Sequence, residues 1–167
     1  EFSADVNRGA SVVVNDNIDP ILTGLNPTVV TISNRGGEAP MLYPLDKSSE
    51  STQVGANVIR YPLGEGVSLD YEVTSTQLKQ NLVIRDMPYF EEGFNGWFGL
   101  AEEMILPEGY SIFQGESPLR DGELLMTNGS LEIRHKETGE LLVTMPAPFA
   151  QSIDPESSEM PEHAMYF

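Results

Sequence analysis

"GVSLDYEVTSTQLKQNLVIRD", residues 66–86, alternates apolar and polar side chains on both sides of a short polar break. Val67, Leu69, Tyr71 and Val73 fall on one face of an extended chain, and Ser68, Asp70, Glu72 and Thr74 on the other. Beyond the break Leu78, Leu82 and Ile84 share one side, with Lys79, Asn81 and Arg85 opposite. A period of two, carried by branched and aromatic side chains, suits a strand with one face buried. The stretch therefore reads as a β-hairpin.

The same pattern extends outward. "ASVVVND" (10–16) and "TVVTISN" (28–34) are β-branched runs bounded by turn-forming residues. Between them "NDNIDPILTGLNP" is punctuated by Asp19-Pro20 and Asn26-Pro27, and reads as a loop or a short irregular strand. Residues 34–57 have the composition of a long polar connection, and "NVIRYPL" (57–63) opens a second block. Residues 86–115 are rich in aromatics and glycine. There "GLAEEMILPEG" allows one short helical turn, whereas "EMILPEGYSIF" reads as two strands around a Pro-Glu-Gly turn, the favoured reading. Runs 122–127, 130–135 and 140–145 read as a meander, with Asn128-Gly129 and residues 136–139 as its reversals. Pro146 and Pro148 end it, because proline cannot donate into a ladder. No long stretch keeps a helical period. The expected class is all-β, an antiparallel β-sandwich or a partly open barrel with long loops. Residues 1–56 form N-terminal strands and a long connection, residues 57–167 the main antiparallel domain, and the two together one structural unit.

A chain of 167 residues, 40% hydrophobic and 21% charged, has a globular balance and can bury a real core. Its formal net charge of −17, with nine basic residues scattered singly, excludes a phosphate-tracking surface and so nucleic acid. Anionic membranes repel it too, and no run approaches the ~20 apolar residues of a membrane helix. Cationic partners, divalent metals among them, are favoured. Without cysteine there is no disulfide, thiolate zinc site or cysteine nucleophile. The chain begins Glu1-Phe2-Ser3 without methionine, which reads as a processed product or a piece of a longer polypeptide.

Candidate chemistry is sparse. A nucleophilic triad needs His135 or His163 beside a buried carboxylate and an activated serine, and no serine sits in a nucleophile-elbow context. Glu91-Glu92 and Glu102-Glu103 suggest a glycosidase pair, but neighbours on a strand point to opposite faces. Asp16 and Asp19 in "NDNID" place oxygen ligands as calcium prefers, yet the glycine and distal glutamate of an EF-hand are missing, and such residues also make Asx turns. Tyr89, Phe94 and Trp97 form an aromatic patch suited to glycan stacking, against the plainer expectation that these rings cap a core. Val12, Val13 and Val14 mark a strongly β-forming terminal strand. It either completes its own sheet or pairs with the open edge of another copy in a fibre.

The run "RYPLGEGVSLDYEVTSTQLKQNLVIRDMP" resembles a segment of large bacterial exported proteins of the YD-repeat, Rhs or teneurin-like, kind. Tyr61, Gly66, Leu69-Asp70-Tyr71, Leu78-Lys79-Gln80 and Leu82–Ile84 occupy the places of an aromatic, a turn, an Asp-centred strand, a second turn and an apolar strand. Gly129, Thr138-Gly139-Glu140 and Pro146-Ala147-Pro148-Phe149 resemble the continuation. The chain departs from the pattern at Gln80 and holds no YD repeat of its own. The resemblance implies an accessory β-domain of a cell-surface or secreted protein; it does not imply toxin activity, which in that family resides in other regions. The expectation is thus a non-catalytic structural or adhesive module, extracellular or at the cell surface, with a carbohydrate-binding module as the alternative. Its partners are other copies or other domains of the same surface protein, and glycans in the alternative. No cofactor is expected beyond calcium.

Overall fold

The computed structural model describes residues 2–5, 9–33, 39–45, 51–64, 66–85, 95–149 and 165–166. They form fourteen strands and no helix: β1 (Phe2–Asp5), β2 (Gly9–Val12), β3 (Ile21–Ser33), β4 (Met41–Pro44), β5 (Thr52–Gln53), β6 (Val58–Gly64), β7 (Val67–Val73), β8 (Leu78–Ile84), β9 (Gly96–Ile105), β10 (Tyr110–Gln114), β11 (Ser117–Pro118), β12 (Leu131–His135), β13 (Leu141–Met145) and β14 (Met165–Tyr166). The strands make three sheets. The first runs β1-β2-β3-β9-β14 with β4 beside β3, the second β5-β6-β7-β8, and the third β11-β10-β12-β13. None closes on itself, so the architecture is a β-sandwich and not a barrel.

The opening hairpin forms as its alternation requires. β7 and β8 pair from Val67↔Ile84 to Val73↔Leu78, and Thr74 closes the turn, its hydroxyl accepting from the Gln77 amide. Val67, Leu69 and Tyr71 are buried inward, and Leu78, Leu82 and Ile84 pack beside them.

The first sheet supplies the opposite layer. Ala10, Val29 and Leu100 meet Tyr61, Leu63, Leu69 and Tyr71 of the second sheet in one cluster. Further along, Val12, Ile21 and Met104 meet Tyr110 and Ile133 of the third sheet in another. Ala10 and Val12 are two residues apart on β2, and Leu100 and Met104 four apart on β9, so both clusters use one face of the first sheet. Leu78 packs into both clusters and marks where the two covering sheets meet. Residues on both sides of position 56 share sheets through the β3–β9 and β5–β6 pairs.

Three local expectations are corrected. Residues 21–27 are neither loop nor a separate strand, because β3 runs unbroken through them. Gly24 (φ 73°) and Asn26 (φ 47°) sit at two register shifts against β9, so the turn formers make bulges inside a strand. Residues 122–127 do not form a strand, and Asn128-Gly129 turns no hairpin. One edge of β12 is taken by β10 and the other by β13, leaving no place for a meander partner. "ASVVVND" contributes only its first three residues, Ala10 to Val12, to β2, and Val13 and Val14 lie beyond the strand. The Pro-Glu-Gly turn does join two strands, but β9 and β10 belong to different sheets, and the turn carries the chain across the sandwich.

On the outer face of the second sheet Arg60 and Asp70 stand directly opposite in register. Arg60 donates from Nε to Oδ1 at 2.8 Å and from Nη2 to Oδ2 at 2.6 Å, and Ser68 Oγ donates to Oδ1 at 3.3 Å. The Asp70 side chain is only 9% exposed, the Arg60 side chain 28%. Hydrogen bonding to Asp70 raises the guanidinium pKa further above its already high value. Such a pair resists removal of one partner more than replacement of both. Asp70→Asn is expected to lower unfolding stability by about 2–3 kcal/mol, and Arg60→Leu with Asp70→Leu by less than the single change. Urea denaturation of the three proteins checks the order.

Candidate functional site

β9 carries adjacent carboxylates whose strand geometry sends them apart. Glu103 lies on the outer face, where its Oε2 accepts from Asn26 Nδ2 at 2.8 Å. Glu102 lies on the inner face, between Leu100 and Met104 of the two core clusters. There its Oε1 accepts from the buried Thr23 hydroxyl at 2.9 Å, and its Oε2 from Gln80 Nε2 of the facing sheet. Glu102 thus links the two layers, and the adjacent glutamates are no acid/base couple.

Tyr71 lies next to this link, fully buried, with its ring edge against Tyr61 at a centroid distance of 5.7 Å. Its hydroxyl has no hydrogen-bond partner among the described residues. Burial first, then the charges of Glu102 and Tyr61, hold that hydroxyl well above the usual tyrosine range.

His135 ends β12 and is committed to a turn. Its Nδ1 accepts from the Glu137 and Thr138 amides, each at 3.3 Å, and its ring stands edge-on to Tyr110 at 5.2 Å. Gly109 (φ +85°) packs under the imidazole, where a Cβ would come within 3.0 Å of Nε2. Any side chain there meets both backbone strain and the ring. The imidazole is occupied by structure and paired with no carboxylate in the interactions described. His163 lies outside the described residues.

Asp16 and Asp19 are both exposed, in a turn where Asn15 Oδ1 accepts from the Asn17 amide at 3.0 Å. Asp19 borders a shallow hollow with Ile18 and Glu108, whereas Asp16 does not. Among the described residues no three histidine or acidic side chains converge as metal ligands. Trp97 pairs with Ile32 on the face of the first sheet opposite the core and is half-buried. Tyr89 and Phe94, its expected companions, lie outside the described residues. Val12 is buried and paired with Ile21, Val13 is half-buried and Val14 is 48% exposed. β2 lies between β1 and β3 in the first sheet.

One concavity had no forerunner in the sequence reading. A groove of about 630 Å³ runs from the end of β9 to residues 119–125 beside the third sheet. Leu106, Leu119 and Leu131 line its apolar part, and Glu103, Glu108, Asp121 and Glu123 are among its polar residues. Its walls come mainly from two neighbouring segments, residues 102–112 and 119–127, and neither carries a chemical motif that announces a groove.

Compared with protein-family models, curated proteins and solved structures, the chain matches none.

Unfolded tyrosine ionises near pH 10, whereas folded Tyr71 keeps its proton. Above that pH the unfolded chain binds fewer protons, so stability falls as pH rises, by up to about 1.4 kcal/mol per unit from this group. Tyr71→Phe is expected to remove that share of the alkaline fall. Near neutral pH it should change stability by less than about 1 kcal/mol, because no hydrogen bond is lost. Urea midpoints of both proteins from neutral to alkaline pH check this.

Proposed function

We propose that this chain is a non-catalytic structural or adhesive module of an exported cell-surface or extracellular protein. The observation that carries the reading is where the reactive side chains are used. Asp70 is held by Arg60, Glu102 joins Thr23 and Gln80, and His135 closes its own turn. Each sits in a different part of the sandwich, whereas an enzyme gathers acid, base and nucleophile around one reacting position. The exported setting is supported by the strand-and-turn pattern that resembles YD-repeat surface proteins, and the net charge of −17 favours a well-solvated molecule. Its partners on this reading are other copies of itself or other domains of the same surface protein. Calcium is the one ion this reading allows for, as a cation that so acidic a surface attracts.

An antibody against the domain should label intact source cells, and external protease should remove the label. Labelling only after lysis overturns the reading.

Trp97 supports one alternative, a carbohydrate-binding module, because the ring lies half-buried on the face away from the core. It is the single tryptophan, so its emission reports on that face alone. Titration with oligosaccharides is expected to leave the emission unchanged. A saturable shift, abolished in Trp97→Ala, favours the glycan reading instead.

A further inference from the structure

Asn128 and Gly129 lie in the segment between β11 and β12, where the chain bends outside the strands. Asn128 is exposed and Gly129 half-buried. Asparagine is a labile residue, and a following glycine makes it more so, because no Cβ keeps the glycine nitrogen away from the asparagine Cγ. Backbone outside a ladder is also free to rotate toward the attack. Asn95-Gly96 is the other such pair, but Gly96 opens β9 opposite Ser33 and is fixed in the first sheet. Thr127 restrains the exposed pair. It is buried, 4% exposed, and its Oγ1 accepts from the Gly129 amide at 2.9 Å and from Gln114 Nε2 of β10 at 3.0 Å.

We propose that Asn128 is a site of spontaneous deamidation whose rate Thr127 sets. The Gly129 nitrogen gives its proton to solvent base and bonds to Asn128 Cγ, and the side-chain nitrogen leaves as ammonia. Water then opens the cyclic imide at either carbonyl, giving aspartate or isoaspartate. Nothing is oxidised or reduced, and water is the only co-reactant. A hydrogen bond to the protonated form of a group opposes its ionisation, so the Thr127 hydroxyl slows the first step. The bond from Gln114 ties that hydroxyl to the third sheet, so the restraint does not move with the bend. The product adds a carboxylate to a chain already at −17, just before Leu131 opens β12. The isoaspartyl form also lengthens the backbone there by a methylene. This chemistry does not depend on the role proposed above.

The test incubates the whole folded chain at mildly alkaline pH. Its peptides are then followed by chromatography and mass spectrometry that resolve amide, aspartyl and isoaspartyl forms. Asn128 is expected to convert to both products while Asn95 keeps its amide. Gly129→Ala adds a Cβ that meets Thr127 Oγ1 at 3.5 Å, an ordinary contact that the fold tolerates. It should slow conversion about tenfold, or ~1.4 kcal/mol of barrier. Thr127→Val removes the acceptor and should speed conversion about fivefold, the weight of one ordinary hydrogen bond. Thr127→Ser keeps the hydroxyl and should convert at the parent rate. No conversion at Asn128, equal conversion at Asn95, a Gly129→Ala rate matching the parent, or a Thr127→Val rate no faster than that of Thr127→Ser overturns the proposal.

Discussion

β3 and β9 pair antiparallel from Leu22↔Ile105 to Ser33↔Gly96, with two register shifts between Leu22 and Thr28. Each shift inserts one extra residue on β3. One alone would turn the rest of the strand over, because side-chain direction has a period of two. Two restore it. Ile21 and Thr23 before the bulges and Val29 and Thr31 after them are all buried, and Val29 and Ile21 reach the two core clusters on one face. A single long sheet can then be covered by two shorter sheets in tandem. The positive φ at Gly24 and Asn26 allows this, and Pro27 is tolerated because its missing amide falls where the ladder is interrupted.

The polar groups inside this frame do different amounts of work. Burying a large apolar side chain such as Leu69 contributes about 1.5–3 kcal/mol, and the two clusters hold many of them. The exposed pair of Lys79 with Glu72, at 3.4 Å, contributes under about 1 kcal/mol. Arg60–Asp70 differs in kind: it fixes which residue of β6 stands against which residue of β7. Glu102 does the same between layers, tying β9 to Gln80 of β8 while accepting from Thr23 beside it. A polar contact that is costly to misplace specifies alignment, and apolar burial supplies most of the driving force.

Legibility in the sequence varied with how local each determinant is. β7 and β8 were readable because four residues join them and both alternate cleanly. β12 and β13 were readable from the turn at 136–139 that joins them. Residues 122–127 carry a strand-like composition, yet they hold no strand because β12 has neighbours on both sides. Gly24 and Asn26-Pro27 look like loop punctuation, and only a long partner strand turns them into bulges. Glu102 was half legible: parity places it with Leu100 and Met104, but its partners Thr23 and Gln80 are 79 and 22 residues away.

The sequence by itself determined the all-β class, the β7–β8 and β12–β13 hairpins and which side chains of β7 and β8 face inward, because alternation and turn chemistry act over a few neighbouring residues. Only the tertiary structure decided which sheet each strand joins, that β9 and β10 part company at their turn, and that Glu102 falls between two layers. Strand propensity sets the shape of a segment without naming its neighbour. The neighbour is chosen when apolar faces from distant parts of the chain cover one another.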